Sequence, residues 1–192
     1  MHNLQREFYG EYEHVLNRAM TKIMRFSVNI TNQKNYIEHI RSRLKDPKSI
    51  EQKLANKGLE FTLDNAKNEL HDLVGVRLIC NFLSDIYIVA DLLQQNYTVL
   101  AIKDYISQPK SNGYRSFHII VSVPVEGQNI PVEIQIRTIS QDSWASLEHK
   151  LKYKKNIKNE KLIRAELKRF ADDMAGTDLC MQTIKEFIED LD

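Results

Sequence analysis

Residues 103–138 read KDYISQPKSNGYRSFHIIVSVPVEGQNIPVEIQIRT. Apolar and polar residues alternate along 131–137, so Glu133, Gln135 and Arg137 share the polar face of a predicted strand. The run 116–124 is rich in β-branched and aromatic residues, and turn residues occupy 126–129 between the two runs. This stretch therefore predicts an antiparallel hairpin whose polar face carries an acid, an amide and a guanidinium.

A basic loop, QPKSNGYRSFH at 108–118, precedes the first strand of this hairpin. Asn112 and Gly113 form a turn signal because both residue types tolerate positive φ, and glycine lets a ligand approach the backbone closely. Tyr114 can stack on a base, a contact that contributes roughly 1–3 kcal/mol. The loop is either a solvated hairpin end or a phosphate-binding site. The side chains that can pair with phosphate oxygens are Lys110, Arg115 and His118.

A second carboxylate lies at the start of another predicted strand, within HDLVGVRLICNF at 71–82. The nearly continuous apolar character of 76–82 predicts a central strand that is buried on both faces. Asp72 stands just before it, where an aspartate is often only a turn or cap residue. If Asp72 meets Glu133 in space, the pair instead supplies two oxygen ligands for Mg²⁺.

Four segments, in this order, resemble the synthetase domain of the RelA/SpoT family: HDLVGVR, KDYISQPKSNGYRSFH, VEIQIRT and WASLEHKLKYK. The resemblance covers residues 36–155, and the chain length is similar to that of a small alarmone synthetase of the RelQ/RelP type. It implies transfer of the β,γ-pyrophosphate of ATP to the ribose 3′-hydroxyl of GDP or GTP, which gives (p)ppGpp. It also implies an α/β (α+β) fold related to the nucleotidyltransferases, with a mixed, largely antiparallel sheet flanked by helices.

The resemblance assigns the ATP side to a basic segment. It implies that Arg43, Lys45 and Lys53 contact the ATP phosphates, and that Arg43 and Arg77 sandwich the adenine. The segment 40–46 is expected to be a helix end that Pro47 breaks, and Ser49 is the expected cap of a following helix. On charge alone, such lysines and arginines are typical of solvated helix faces.

The resemblance also distributes the carboxylates and the acceptor contacts. Asp72 is expected to hold the metal, Mg²⁺ or alternatively Mn²⁺. Glu133 is expected to share that metal or to take the proton from the attacking hydroxyl, and both roles stay open. Tyr114 is expected to stack on the guanine. The other acceptor contacts implied are Lys103, Lys110, Asn112, Arg115, His118 and Gln135.

One position departs from the family pattern. Where the family often carries a charged residue two positions before a Lys-Asp or Asp-Asp pair, this chain has Ala101 before Lys103 and Asp104. The departure bears on metal and acceptor preference, and Lys103 remains the expected phosphate contact.

Composition indicates an ordinary globular chain: of 192 residues, 42% are hydrophobic and 28% charged, with a formal net charge of +1. Such a balance argues against a general nucleic-acid binder, which normally has a strong basic excess. Cys80 and Cys180 form no disulfide framework or metal motif, so reduced thiols in the cytoplasm are expected. No apolar run approaches about 20 residues, and the N-terminus is no signal peptide.

The expected organisation is a single synthetase domain over 1–192. N-terminal helices are expected over 1–57, including one amphipathic helix over 4–26, and the catalytic sheet with its helices, at 85–95 and 144–153, over 58–157. A C-terminal helical region is expected over 158–192, interrupted near Gly176. Its apolar positions are expected to bury either against their own domain or against another subunit, and the resemblance implies a homo-oligomer, a tetramer. No hydrolase domain is expected.

Two other functions stay open. A toxic relative would pyrophosphorylate the 3′ end of tRNA, although the near-zero net charge disfavours a tRNA surface. An inactive nucleotide- or RNA-binding module would keep the sheet without needing both carboxylates. A regulatory nucleotide and single-stranded RNA are further expected partner classes, and a membrane is not.

Overall fold

A five-stranded mixed sheet forms the centre of the computed structural model, which describes residues 7–152 and 159–191. The strands are β1 (Ile37–Leu44), β2 (Val74–Cys80), β3 (Thr98–Asp104), β4 (Phe117–Val125) and β5 (Gln128–Thr138), in the spatial order β1-β2-β5-β4-β3. The helices are α1 (Tyr12–Lys34), α2 (Pro47–Ala55), α3 (Leu63–Glu69), α4 (Leu83–Asn96), α5 (Ile139–Lys152) and α6 (Glu160–Glu189). The predicted α/β class with a mixed, largely antiparallel sheet is confirmed.

Strand β5 is central, because it pairs in parallel with β2 on one side and antiparallel with β4 on the other. The predicted hairpin of β4 and β5 is confirmed. Its two-residue turn has positive φ at both Glu126 (49°) and Gly127 (77°), which is the conformation that matches the twist of paired strands. Glu133 therefore lies in the middle of the sheet and not on an edge strand.

The two faces of the sheet differ in character because side chains alternate along each strand. Val132, Ile134 and Ile136 of β5 are fully buried and join a single apolar core with the strands beside them. Helices α1 and α4 both contact the sheet and supply buried residues to this core. The opposite face carries Glu133, Gln135 and their cross-strand partners, and it is the polar one.

The C-terminal helix α6 runs for 30 residues and packs against α4 and α5. Trp144 of α5 is buried, as predicted, and its indole nitrogen donates to the Leu167 carbonyl at 2.7 Å. Thr138, at the end of β5, donates to Asp178 at 2.7 Å, and Lys185 pairs with the buried Asp85 at 2.8 Å. These contacts fix α6 to the end of the sheet.

The expected helix end over 40–46 was wrong, because 37–44 form strand β1. Ile40, Ser42 and Leu44 alternate with the basic side chains there, and β2 supplies the partner that this period-two pattern needs. The cap prediction at Ser49 was also wrong: Pro47 opens α2, and Asp46 is its N-cap residue. Proline suits a first helical position because its missing N–H would be unpaired there anyway.

Two other helix boundaries differ from prediction. Helix α6 continues through Gly176, since one interior glycine costs only about 1 kcal/mol and the contacts on both sides outweigh it. The helix predicted over 4–26 is interrupted by a turn at Gly10, which has positive φ: residues 7–9 are helical, and α1 begins at Tyr12 and extends to Lys34. Residues 1–6 and the predicted helix end at Tyr153 lie outside the described residues.

Both cysteines are free thiols, Cys80 buried and Cys180 exposed. None of the helices in the described part of the chain is long and apolar enough to cross a membrane.

Candidate active site

Asp72 lies immediately before β2 and is held by two lysines. Its Oδ2 accepts from the Nζ of Lys45 at 2.7 Å and from that of Lys53 at 2.9 Å. Burial by itself would raise the pKa of Asp72, but these two hydrogen bonds keep it below its ordinary value. Asp72 is therefore an ionised carboxylate at neutral pH.

Glu133 lies on the polar face of β5, opposite Gly75 of β2. Its carboxylate accepts from Gln135 Nε2 at 2.9 Å and faces His118 Nδ1 at 3.4 Å. Burial would raise its pKa, whereas the bonds from His118 and Gln135 lower it below the ordinary value, and the charge of Asp72 acts the other way. Both carboxylates line the same cleft, so the fold brings Asp72 and Glu133 to one site.

The carboxylates share a cleft of about 280 Å³, which we call the arginine cleft. Basic side chains surround both acids, and Gly75 leaves space in the floor because no side chain projects there. Its lining residues are Arg41, Ser42, Arg43, Lys45, Asp72, Gly75, Val76, Arg77, Glu133 and Gln135. The arrangement combines hard anionic oxygens with cations, which is the chemistry that a metal-bound polyphosphate requires.

A second cleft of about 200 Å³ lies on the other side of Glu133, and we call it the tyrosine cleft. Its lining residues are Ala101, Lys103, Tyr105, Lys110, His118, Ile120 and Glu133. The ammonium of Lys110 lies 4.5 Å from the ring centre of Tyr105 and 4.9 Å from that of Tyr114. Glu133 is thus common to both clefts.

Tyr114 is anchored beside the tyrosine cleft through its hydroxyl. That oxygen lies 2.8 Å from His118 Nε2 and accepts from Arg137 Nη2 at 2.6 Å. Since His118 faces Glu133 through its other nitrogen, the arrangement fits an imidazole with its proton on Nδ1. The ring that was predicted to stack on a base is therefore held in a fixed orientation.

Two residues of this network were not among the predicted site residues. Arg137 is only 4% exposed, and it donates at 3.0 Å to Asp142, which lies in the first turn of α5. The alternation along β5 already placed Arg137 on the polar face with Glu133, which was the available signal. Nothing in the sequence indicates that Asp142 approaches β2, because only the fold brings these segments together.

The loop that carries Tyr114 is pressed against α6. Gly113 has φ +90°, and a Cβ at this position would lie 2.6 Å from the Cβ of Ala171. Arg115 donates to the Ala171 carbonyl at 3.3 Å and pairs with Asp172 at 3.0 Å. The C-terminal helix therefore sets the position of this loop.

The structure brings most of the predicted residues to the two clefts, and three lie elsewhere than expected. Arg115 points to α6 and to neither cleft, because its partners are the helix carbonyl and Asp172. Gln135 lines the arginine cleft, since alternation places it between Glu133 and Arg137. Asn112 is exposed, with its amide 3.5 Å from Glu148. Their contacts with an acceptor nucleotide stay predictions.

The metal prediction can be tested against the donor atoms available. Asp72 Oδ1 is buried and has no hydrogen-bond partner among the described residues, so it is an oxygen that a cation could satisfy. Within residues 7–152 and 159–191, no cluster of three or more His, Cys, Asp and Glu side chains could enclose an ion. The donors fit a magnesium ion that takes two protein carboxylates and completes its shell with phosphate and water.

Comparison with known proteins agrees with this geometry. The model for the region found in RelA/SpoT proteins matches residues 42–158, more than half of the chain. The chain is 43% identical to GTP pyrophosphokinase YwaC of Bacillus subtilis over 186 residues, which are 93% of this chain and 89% of that protein.

Solved structures agree as well. Small alarmone synthetase 2 from Bacillus subtilis superposes with a TM-score of 0.81 at 41% identity, covering 90% of this chain and 96% of that one. Small alarmone synthetase 1 from the same organism, bound to its product pppGpp, gives 0.81 at 28% identity, covering 96% and 97%. The chain belongs to the RelA/SpoT family.

Proposed function

We propose that this protein transfers the β,γ-pyrophosphate of ATP to the ribose 3′-hydroxyl of GDP or GTP and so makes ppGpp or pppGpp. The observation that carries the proposal is that Glu133 lines both the arginine cleft and the tyrosine cleft. A transfer between two nucleotides needs one site for each, with the reacting groups meeting between them. The relatives named above, a GTP pyrophosphokinase and two alarmone synthetases, support the same reaction.

ATP is assigned to the arginine cleft. Arg43 and Arg77 line it from neighbouring strands, where two guanidinium planes can enclose an adenine. Lys45 and Lys53 pair with Asp72 at distances of 2.7 and 2.9 Å. Both ammonium groups lie beside the arginine cleft, where they can pair with the phosphates of ATP.

We propose that Asp72 and Glu133 hold Mg²⁺, with Mn²⁺ as the alternative ion. Two observations support this role: Asp72 Oδ1 has no hydrogen-bond partner within the described part of the chain, and both carboxylates have a lowered pKa, which keeps their oxygens ionised as metal ligands should be. When bound, the ion supplies positive charge that stabilises the transferring phosphoryl groups. The lowered pKa of Glu133 also favours the ligand role over the role of base, since such a carboxylate takes up a proton weakly.

The acceptor nucleotide is assigned to the tyrosine cleft. Lys103 and Lys110 line it and can pair with the acceptor's phosphates, while Tyr114 offers an anchored ring for the guanine. His118 contacts both Glu133 and Tyr114, so it links the acceptor side to the carboxylate between the clefts.

A labelled-ATP assay against GDP, GTP, GMP and tRNA tests the reaction. We expect a labelled guanosine nucleotide from GDP or GTP, no labelled tRNA, and loss of product when a chelator removes the divalent cation. Labelled tRNA without labelled guanosine nucleotide would transfer the proposal to an RNA acceptor. Nucleotide binding without any product would leave only a binding module.

We propose in addition that the protein acts as a homo-oligomer, expected to be a tetramer, in the cytoplasm. Near its C-terminal end, helix α6 exposes an apolar row of Ile184, Phe187 and Ile188, and Leu191 extends this row just beyond the helix. Exposed apolar patches of this kind mark interaction surfaces, and the occupant proposed is a second copy of the chain. The two free thiols support a reducing compartment. A regulatory nucleotide and single-stranded RNA stay predictions.

A further inference from the structure

One carboxylate oxygen, Oδ1 of Asp142, accepts hydrogen bonds from two arginines that belong to different strands. Asp142 Oδ1 accepts from Arg77 Nη1 at 2.9 Å and from Arg137 Nη1 at 3.0 Å. We call this set of three side chains the arginine bridge. Arg77 belongs to β2, Arg137 to β5 and Asp142 to the first turn of α5.

One end of the arginine bridge lines the arginine cleft, and the other end anchors the Tyr114 ring beside the tyrosine cleft. Arg77 lines the arginine cleft directly. At the other end, Arg137 donates to the Tyr114 hydroxyl at 2.6 Å and to Gln135 Oε1 at 2.8 Å. The same aspartate therefore holds a side chain of the proposed ATP site and the anchor of the proposed guanine-stacking ring.

The bridge depends on the negative charge of Asp142. Arg137 has 4% and Asp142 13% of its side chain exposed, so water screens the two guanidinium charges poorly. The pKa of Arg77 is lowered, chiefly by its burial and then by the charge of Arg137. Arg77 Nε is itself buried and lacks a hydrogen-bond partner among the described residues, so the bond to Asp142 anchors this guanidinium. Without the carboxylate, two neighbouring cations would repel each other.

We infer that Asp142 is a positioning residue for both substrates: it orients Arg77 toward ATP and, through Arg137, orients Tyr114 toward the acceptor nucleotide. The inference rests on the proposed function for the identity of the two ligands. It differs from a merely structural role in requiring that one substitution weaken two separate sites together.

Asp142→Asn tests this, because it keeps the size of the side chain and removes its charge. Titration calorimetry with GDP and, separately, with α,β-methylene-ATP gives an affinity for each site without turnover. We expect the Kd of both nucleotides to rise about tenfold or more, the loss of one charge-assisted hydrogen bond at each end. Asp142→Glu keeps the fold and moves the carboxylate by one methylene, and it should raise both Kd values by a smaller factor. Tyr114→Phe should raise the Kd for GDP alone.

Asp85→Asn is the matched control. It makes the same substitution in another buried ion pair, the one with Lys185, which lines neither cleft. We expect it to lower the melting temperature and to leave both Kd values within about twofold, a difference of about 0.4 kcal/mol. If both Asp142 variants changed the Kd for only one nucleotide, or for neither, the inference would be overturned. It would also be overturned if Asp85→Asn raised both Kd values as much as Asp142→Asn.

The proposed function is tested by a different experiment from the arginine bridge. Absence of product from the unmodified protein in the labelled-ATP assay would overturn the reaction, while the measured affinities would still decide the arginine bridge. If the unmodified protein bound neither nucleotide, both proposals would fail.

Discussion

Glu133 lies between two clefts that each carry their own cations. Replacing it with glutamine keeps the shape and a hydrogen bond to Gln135 but removes the charge. We expect Glu133→Gln to lower kcat at least about 100-fold in a protein that still folds, because the negative charge that is lost acts on the transition state. Glu126→Gln, in the exposed turn of the same hairpin, is the control and should retain full activity. Unchanged product formation by Glu133→Gln would contradict the mechanism.

The pH dependence follows from the direction of two pKa values. Asp72 and Glu133 have pKa values below their ordinary 3.8 and 4.5, so each gives stability that is present above those values and is lost as the pH falls through the lowered ones. In an Asp72→Asn variant, we expect the free energy of unfolding to fall less steeply as the pH drops below about 4. Urea titrations at a series of pH values measure this. An identical pH dependence for the variant and the unmodified protein would contradict it.

At the scale of elements, the loop that carries Tyr114, here called the acceptor loop, packs closely against α6 at Gly113. Gly113→Ala should force them apart, because its Cβ would lie 2.6 Å from that of Ala171 and its φ of +90° disfavours any side chain. We expect a higher KM for GDP with little change in the KM for ATP. Gly58→Ala is the matched control, with φ +71° and no atom within 4 Å.

A second substitution separates the contact from the backbone strain. Ala171→Gly removes the methyl group that the new Cβ would strike, so the double variant should recover part of the KM for GDP. If Gly58→Ala raised the KM for GDP as much as Gly113→Ala, or if Ala171→Gly gave no recovery, the contact with α6 would not set the loop.

The sequence predicted features that depend on neighbouring residues, and it missed those that depend on contacts between distant segments. Alternation within β5 assigned Glu133, Gln135 and Arg137 to one face correctly, since the signal is local. Strand β1 was missed because its arginines also suit a helix and its ladder partners lie thirty or more residues away in β2. Asp142 was missed for the same reason: it is separated from Arg77 by 65 residues.

At the scale of the whole molecule, the exposed apolar row on α6 predicts self-association. Phe187 is 65% exposed. Replacing it with glutamate should give a smaller species in light scattering, because a charge would have to be buried at the interface. Val28→Glu, at an exposed site of α1, should leave the assembly unchanged. A monomer at micromolar concentration for the unmodified protein would remove the oligomer proposal.

Helix α6 touches the acceptor loop near Ala171 and presents its apolar row toward the other end of the same rod, which is about 45 Å long for its 30 residues. Oligomer assembly and binding of the acceptor nucleotide would then be linked by one coupling free energy. Such a coupling is reciprocal, so each process favours the other by the same amount. GDP should therefore make the assembly more resistant to dilution, and dilution should raise the concentration of GDP needed for half saturation. The number of enzyme molecules in a cell would in that way set how sensitively each one responds to guanosine nucleotides.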